Sequence, residues 1–210
     1  MFIDLLSYLN IFIFLFFGIY QLLLSNRYKD DIGNDYLFAV DCVDVEVNEP
    51  WPYCKATSGV WYSQKFNEPG VRYEVATSIR CGDICWVQGP VPCGKQNDLQ
   101  IFKTGLRHCL DENERVEADS GYKALDPEFC KTPSGLTTSK ERKKMQSIVR
   151  ARHETVNKRF KQWAILKFPY RHELKYHGAV FRSIAILTQL AIEKGKKLFE
   201  INFYDDDMTL

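Results

Sequence analysis

The chain has 210 residues, of which 45% are hydrophobic, 26% charged and 14% aromatic, which excludes a disordered chain and provides enough apolar material for one folded core. The formal net charge of +1 hides an uneven distribution, because residues 139–175 contain twelve Lys or Arg and three Glu, an excess of +9, and the remainder carries about −8. A basic region beside an acidic one suits a site where carboxylates hold metal and cations hold phosphate, although a solvated basic face is the alternative.

The cysteine pattern argues against a disulfide framework. There are seven cysteines, an odd number with irregular spacing. A zinc site is not indicated, because the spacing of Cys81, Cys85 and Cys93 contains no CxxC knuckle and no histidine completes the set. Reduced intracellular thiols are the expectation.

The N-terminus is strongly apolar. Residues 5–24 form a stretch of twenty residues without a charge, the length needed to cross a bilayer. Polar residues dilute the stretch, so a buried helix or a misassigned segment is equally open. A signal peptide is disfavoured because no positive charge precedes the stretch and no cleavage site is evident. We divide the chain into a hydrophobic segment at 1–25, a single core at 26–195 and a tail at 196–210.

The first half of the core is predicted to be β-rich. Residues 37–47 alternate apolar and acidic side chains, which predicts a strand that carries Asp41 and Asp44. Three further strands are expected at 60–66, 71–79 and 84–88, with a turn at the NEPG sequence. Successive antiparallel pairing is the simplest arrangement, and a Gly/Pro loop is expected to follow over 89–98.

The second half is predicted to be mainly helical. A helix over 99–110, capped by Asn97 or Asp98, precedes a short strand at 115–118. A long amphipathic helix over 139–166 has an apolar stripe, and a last helix spans 178–194. The order of three strands, helix, strand and helix is typical of the RNase H-like fold, an α/β fold with a mixed sheet and flanking helices. The predicted stripe consists of Met145, Val149, Val156, Phe160 and Trp163.

Three acidic residues fall where that fold brings elements together. Asp41 lies in the first strand, and Asp119 ends the later strand beside Gly121, which permits close backbone approach. Glu154 lies on the long helix, away from its apolar stripe. A surface salt bridge is the plain alternative for Glu154. The same side of the helix carries Arg150, Lys158 and Lys161.

Phosphodiester cleavage explains why three carboxylates would be grouped. Two divalent ions activate the attacking hydroxyl or water and stabilise the leaving oxyanion. Mg²⁺ prefers hard oxygen ligands, so Asp and Glu suit it better than His or Cys. His153 and His172 have no acidic partner at motif spacing and are expected at the surface.

Five ordered blocks resemble the PIF/Harbinger-type DDE superfamily endonuclease domain. The resemblance extends over about residues 26–193, and the ADSGY and R-x3-E-x5-F-K blocks are specific together, with 34 residues between Asp119 and Glu154. The blocks are AVDCVDVEV (39–47), WYSQKF (61–66), RYEVATSIRCGDICWVQGPVPCGKQNDLQIF (72–102), ADSGY (118–122) and RARHETVNKRFKQW (150–163).

The resemblance implies a DDE transposase core that cleaves DNA with Mg²⁺ or Mn²⁺ in the nucleus or elsewhere inside the cell. Matched by position, Asp41, Asp119 and Glu154 are the catalytic and metal-binding carboxylates. Asp98 matches a further acidic position, although a helix N-cap explains it equally well. Asp44 is the rival of Asp41, but it is an odd number of residues away and faces the other side of the strand.

The chain also departs from the family pattern. Cys42 stands where the family usually has glycine, and 40 residues precede Asp41, which leaves no room for both the hydrophobic segment and the helix-turn-helix region that is common upstream. We therefore expect DNA targeting by a separate partner protein. The alternative is a domesticated or decayed relative that binds DNA or a protein without cleavage. Membrane association is open only through residues 5–24.

Overall fold

The computed structural model describes residues 22, 24–28, 36–49, 59–79, 81–112, 114–125, 129–131 and 140–198. Short 3-10 helices lie at Leu24–Tyr28, Leu106–Cys109, Ser120–Leu125 and Leu174–Tyr176. The strands and α-helices of the described part are, in chain order, β1 (Tyr36–Glu46), β2 (Tyr62–Ser63), β3 (Glu68–Ser78), β4 (Ile84–Pro92), α1 (Asp98–Thr104), β5 (Arg115–Glu117), β6 (Cys130–Lys131), α2 (Lys140–Phe160), α3 (Ala164–Lys167) and α4 (His177–Glu193).

The strands form a mixed sheet. Strand β3 is antiparallel to both β1 and β4, and the short β2 pairs with the first residues of β3. Strand β1 is parallel to β5, which is parallel to β6. The predicted α/β class is confirmed, and the antiparallel pairing expected for the first half holds for β1, β3 and β4.

Helices cover both faces of this sheet. On one face, Val43 and Val45 pack in a cluster with Val156 and Phe160 of α2 and with Phe181 of α4. The opposite face packs against α1 and the 3-10 helices at Leu106–Cys109 and Ser120–Leu125 through a second cluster. Because successive strand residues point to opposite faces, Asp41 and Asp44 of β1 belong to different faces. The second cluster includes Phe38, Val40, Phe102, Leu106 and Tyr122.

Helix α2 ends earlier than the apolar pattern predicts. The last hydrogen bonds tighten, with Trp163 N donating to Phe160 O at 3.1 Å, and the chain then enters α3 in an extended conformation at Trp163. The placement of Trp163 in the apolar stripe is therefore wrong, and this side chain is 42% exposed. Val156 and Phe160 are buried as predicted.

Three strand predictions need correction. Strand β4 continues to Pro92, where a Gly/Pro loop was expected, because it lies at the edge of the described sheet, where proline is tolerated. Strand β2 contains only two residues, since the chain turns early and Asn67 adopts a left-handed conformation with φ of 61°. Strand β6 was not predicted, because two residues are too few to show a periodicity.

Most of the apolar stretch at 5–24 lies outside the described residues, as do the predicted loop at 133–139 and the residues after 198. Among the residues that the structure describes, no helix combines the length and the apolar character needed to cross a bilayer. The six cysteines in the described part are free thiols, as expected from their spacing.

Candidate functional site

Asp41 and Asp119 lie at one level of the sheet. Strands β1 and β5 run parallel, and their pairing reaches Ala39 opposite Glu117. Asp41 and Asp119 each follow that pair by two residues, Asp41 within β1 and Asp119 after the end of β5. Asp41 is half-buried, and its Oδ1 accepts a hydrogen bond of 2.8 Å from the backbone N–H of Cys42.

Asp119 and Asp98 face the same glycine. Asp119 Oδ1 accepts a hydrogen bond of 2.8 Å from the N–H of Gly121, at the start of a 3-10 helix. A Cβ atom on Gly121 would lie 2.9 Å from Asp119 Oδ1 and 3.6 Å from Asp98 Oδ2. The missing side chain of Gly121 therefore leaves space for two carboxylates, in line with the close approach predicted from the sequence.

Asp98 is not the cap of helix α1. Asn97 is the N-cap, with its side chain bonded to Gln100 N and the Gln100 side chain bonded back to Asn97 N. The carboxylate of Asp98 instead forms an ion pair with Arg72 Nη1 at 2.8 Å. Burial raises the pKa of Asp98, while the positive charges of Arg72 and Lys65 act in the opposite direction. The N-cap explanation for this acidic position is therefore removed.

Asp44 is fully engaged in a buried ion pair. Its Oδ1 accepts from Arg72 Nε at 2.7 Å, and its Oδ2 accepts from Arg72 Nη2 at 2.8 Å and from Ser63 Oγ at 2.6 Å. Burial acts to raise the pKa of Asp44, but these donors lower it below its ordinary value. Asp44 therefore stabilises the sheet and leaves no free oxygen with which to replace Asp41.

Glu154 is exposed on α2, beside a buried histidine. His153 Nε2 lies 3.3 Å from Thr77 Oγ1 of β3, and burial lowers the pKa of His153 while the negative charge of Asp41 acts to raise it. The prediction of a surface His153 is wrong, because this residue continues the buried side of α2, whereas His172 is exposed as predicted. His153 thus brings α2 close to Asp41, and Glu154 is the next, exposed residue of the helix.

The predicted phosphate-binding residues follow Glu154 along the chain. Lys158 lies one helical turn later, and Lys161 is the first residue after α2, and both are exposed. Arg150 lies on α2, but its side chain is outside the part of the chain that the structure describes. Lys and Arg side chains are usually exposed, so the exposure of Lys158 and Lys161 does not by itself indicate phosphate binding.

Sequence reasoning missed two cations and a buried acid. Arg72 joins Asp44 to Asp98, and Lys65 donates from its ammonium to the carbonyl oxygen of Cys42 at 2.6 Å. Glu74 is completely buried beside Cys42, and burial raises its pKa to about 8. The available signal was the strand VRYEVAT, in which two charged residues share one face of an otherwise apolar run.

The donor chemistry at this end of the sheet fits a hard divalent cation, since the groups are carboxylates. The arrangement of the side chains does not form a closed ligand set. In the described part of the chain, no three His, Cys, Asp or Glu side chains are grouped closely enough to hold a metal ion. In both Asp41 and Asp119, one carboxylate oxygen accepts a hydrogen bond from a nearby backbone N–H.

Comparison with known proteins found no protein-family model, no curated protein and no solved structure that is significantly similar to the chain. The class that the structure defines is an α/β protein with a mixed sheet. The likeness to the PIF/Harbinger-type domain stays a prediction.

Proposed function

We propose that the chain is a divalent-metal-dependent DNA endonuclease of the DDE type. Asp41, Asp119 and Glu154 are its metal-binding and catalytic carboxylates in this proposal, with Asp98 as an additional ligand. The observation that carries the proposal is the position of Asp41 on β1 and of Asp119 two residues after the neighbouring parallel strand β5, with Asp98 near the same glycine as Asp119.

The arrangement of the elements supports an RNase H-like core within this proposal. Apart from the two-residue β2 and β6, the described order is three strands, a helix, a strand and a long helix. The first three long strands are antiparallel, and β5 joins β1 in parallel. The long helix α2 packs on β1 through His153, which would bring Glu154 toward the ends of β1 and β5.

Each side chain has a defined part in the proposed reaction. A divalent ion bound to the carboxylates would supply an attacking hydroxyl at neutral pH and stabilise the leaving oxygen. Asp41, Asp98 and Asp119 provide oxygen donors from the sheet and α1, and Glu154 provides one from α2. Their mutual repulsion favours occupation of the site by positive charge.

The test is nicking of supercoiled DNA by purified variants in Mg²⁺ or Mn²⁺. We expect Asp119→Asn and Glu154→Gln to abolish nicking while thermal unfolding stays cooperative and unchanged, because both residues are at the surface or half-buried. Glu112→Gln, which replaces an exposed acid outside the site, is the matched control and should nick normally. Undiminished nicking by either site variant would remove the mechanism.

The exposed cations near Glu154 are proposed to bind the DNA backbone. Replacing both Lys158 and Lys161 with Ala should weaken binding and reduce the slope of log Kobs against log salt by about 0.9 for each phosphate contact that is lost. Fluorescence anisotropy over a salt series measures this slope. The control is the double replacement of Lys196 and Lys197, which are also exposed. An unaltered slope would show that these two lysines do not contact DNA phosphates and are only solvated surface residues.

Target selection is proposed to come from a separate DNA-binding partner in the nucleus. A second candidate function is DNA or protein binding without cleavage. It is favoured by the absence of a closed ligand set among the described residues and by the cations Arg72 and Lys65 beside the carboxylates. Salt-dependent DNA binding by a chain that neither binds Mn²⁺ nor nicks DNA would support this second candidate.

A further inference from the structure

The one-turn helix α3 has an exposed aromatic side chain at each of its ends. Four large hydrophobic side chains are exposed in the described part of the chain, and two of them flank this turn. They are Trp163, which is 42% exposed, and Phe168, which is 56% exposed. A single exposed apolar residue is normal on a protein surface, but neighbouring exposed rings indicate a contact surface for another molecule.

The turn that carries these rings is anchored to the core. Leu166 and Tyr170 are buried in the same hydrophobic cluster, and the N–H of Tyr170 donates a hydrogen bond of 3.0 Å to the carbonyl oxygen of Glu46 on β1. Pro169 follows Phe168 and favours the extended backbone that Phe168 adopts, with φ of −107° and ψ of 162°. The backbone beneath the rings is therefore fixed before a ligand arrives, which lowers the entropic cost of binding.

The surroundings of the rings are basic. Lys167 and Arg171 are exposed, and the Lys167 ammonium lies 5.4 Å from the centroid of the Phe168 ring. Among the residues that the structure describes, neither cation forms an ion pair, whereas Lys175 pairs with Glu173. Both charges can therefore be offered to an external anion. We call the two rings and these two cations the α3 surface, which consists of Trp163, Lys167, Phe168 and Arg171.

This combination of groups suits the chemistry of an unpaired nucleic-acid strand. Such a strand presents the flat faces of its bases to aromatic rings and its phosphates to Lys and Arg. The two ring-bearing residues are five positions apart, so at about 1.5 Å per residue they are separated by roughly 7.5 Å along the turn. That distance corresponds to about two nucleotides at 3.4 Å each. Bases inside a duplex stack on one another and do not offer their faces in this way.

A membrane surface fits the α3 surface less well. Helix α3 has four residues, which is too short for an amphipathic helix that lies in the lipid interface. The apolar groups are also interrupted by charge, since Lys167 and Arg171 lie on either side of Phe168 in the chain. The alternation of rings and cations therefore favours a polyanion with flat apolar groups over a continuous apolar phase.

We propose that the α3 surface binds an unpaired nucleic-acid strand by base stacking on its two rings and phosphate contacts to its two cations. The surface lies apart from the carboxylates, because Val47, which forms a bridge with Tyr170, is six residues or about 20 Å along the chain from Asp41. The inference goes beyond the proposed function and does not require that DNA is cut. Stacking of this kind tolerates different base sequences, since every base has a flat face.

The experiment is fluorescence anisotropy of the full chain in EDTA with labelled homopolymers of thymidine and of uridine, each about 15 nucleotides long. Trp163→Leu and Phe168→Leu keep an apolar side chain without the ring, and each should weaken binding roughly 5- to 100-fold. Phe168→Tyr keeps the ring and should bind like the unmodified chain. Tyr62→Leu is the matched control, because it removes a ring that is 46% exposed outside the α3 surface, and it should not change the affinity.

The phosphate contacts are tested by the salt dependence of the same binding. Arg171→Gln should reduce the slope of log affinity against log salt by about 0.7 for the contact that is lost from a single strand. Lys175→Gln is the matched control, since Glu173 already neutralises this exposed lysine, and its slope should equal that of the unmodified chain. An unchanged slope in Arg171→Gln and also in Lys167→Gln would overturn the phosphate contacts.

Thermal unfolding of the two leucine variants should stay cooperative and unchanged, because both side chains are exposed. Ring-dependent binding of either homopolymer supports the inference, and the tighter of the two identifies the strand as DNA or RNA. Unchanged affinity in both leucine variants overturns it, as does the absence of binding by the unmodified chain. Ring-dependent binding to phosphatidylserine vesicles without binding of either homopolymer would assign the surface to a membrane and overturn it equally.

Nicking of supercoiled DNA is measured in parallel, so that this inference and the proposed function fail differently. A chain that binds a homopolymer through its rings but does not nick DNA upholds the α3 surface and contradicts the nuclease. Normal nicking together with ring-independent binding overturns the α3 surface alone.

Discussion

Replacing Glu74 with glutamine should change how stability depends on pH. Glu74 is completely buried on β3, and its Oε2 accepts a hydrogen bond of 3.2 Å from Trp86 Nε1. Burial raises the pKa of Glu74 to about 8, and the Trp86 hydrogen bond only partly opposes this. The folded protein therefore holds this side chain protonated and neutral under conditions in which the unfolded chain has ionised it.

The size of the effect follows from proton linkage. Between about pH 4.3, where an unfolded Glu titrates, and about pH 8 the folded state binds one proton more than the unfolded state at Glu74. The free energy of unfolding contributed by this group is highest at low pH and falls by about 1.4 kcal/mol for each pH unit through that window. Between about pH 5 and pH 7 the loss is about 3 kcal/mol, or roughly 6–12 °C in Tm for a domain of this size.

The assay is urea unfolding of both proteins at several pH values between about 5 and 7. Other groups titrate in both proteins and cancel, so the difference in unfolding free energy isolates Glu74. The free energy of unfolding of Glu74→Gln, relative to that of the unmodified protein, should rise by about 1.4 kcal/mol for each unit of increasing pH. Glu68→Gln, at the exposed start of the same strand, should show no such gain.

A constant offset between Glu74→Gln and the unmodified protein would report only altered hydrogen bonding to Trp86. A difference that stays flat from about pH 5 to pH 7 would therefore refute the assignment of a neutral, buried Glu74. A difference that shrinks as the pH rises would refute it equally, because that sign belongs to a carboxylate stabilised in its charged form.

Two further variants test the contacts around the site. Arg72→Met should cost about 3–5 kcal/mol in urea unfolding, because it leaves the carboxylate of Asp44, 1% exposed, buried without its cation; a loss below about 1 kcal/mol would contradict the pairing. Gly121→Ala should leave unfolding within about 1 kcal/mol of the unmodified protein but reduce nicking, since its Cβ would lie 2.9 Å from Asp119 Oδ1 and displace that carboxylate. Full nicking by this variant would show that the position of Asp119 does not matter.

Several elements were predictable because their signal is local. The alternation along residues 37–47 predicted β1, and the helical spacing predicted α2 and α4, with Val156 and Phe160 buried on α2. Each of these patterns spans neighbouring residues whose side chains share a face. The ends of the elements were harder to predict from the sequence, because they depend on neighbouring strands and on the packing of the following turn. The early end of α2 and the extension of β4 are two examples.

The candidate site shows the same division. The sequence alone could place Asp41 in a strand, Asp119 after a strand and Glu154 on the polar side of a helix, since each position follows from local periodicity. The burial of His153 could not be read in this way, because the sheet that covers it is formed by residues far away in the chain.

What the sequence determined by itself was the identity of the main strands and helices and the sign of the charge along the chain. Only the tertiary structure decided which charges neutralise one another. Arg72 reaches both Asp44 and Asp98, and Lys65 reaches the peptide after Asp41, because the pairing of β1 with β3 and the packing of α1 bring distant residues together. Local periodicity carries no information about such contacts, since they arise from sheet order and the need to pair buried charge.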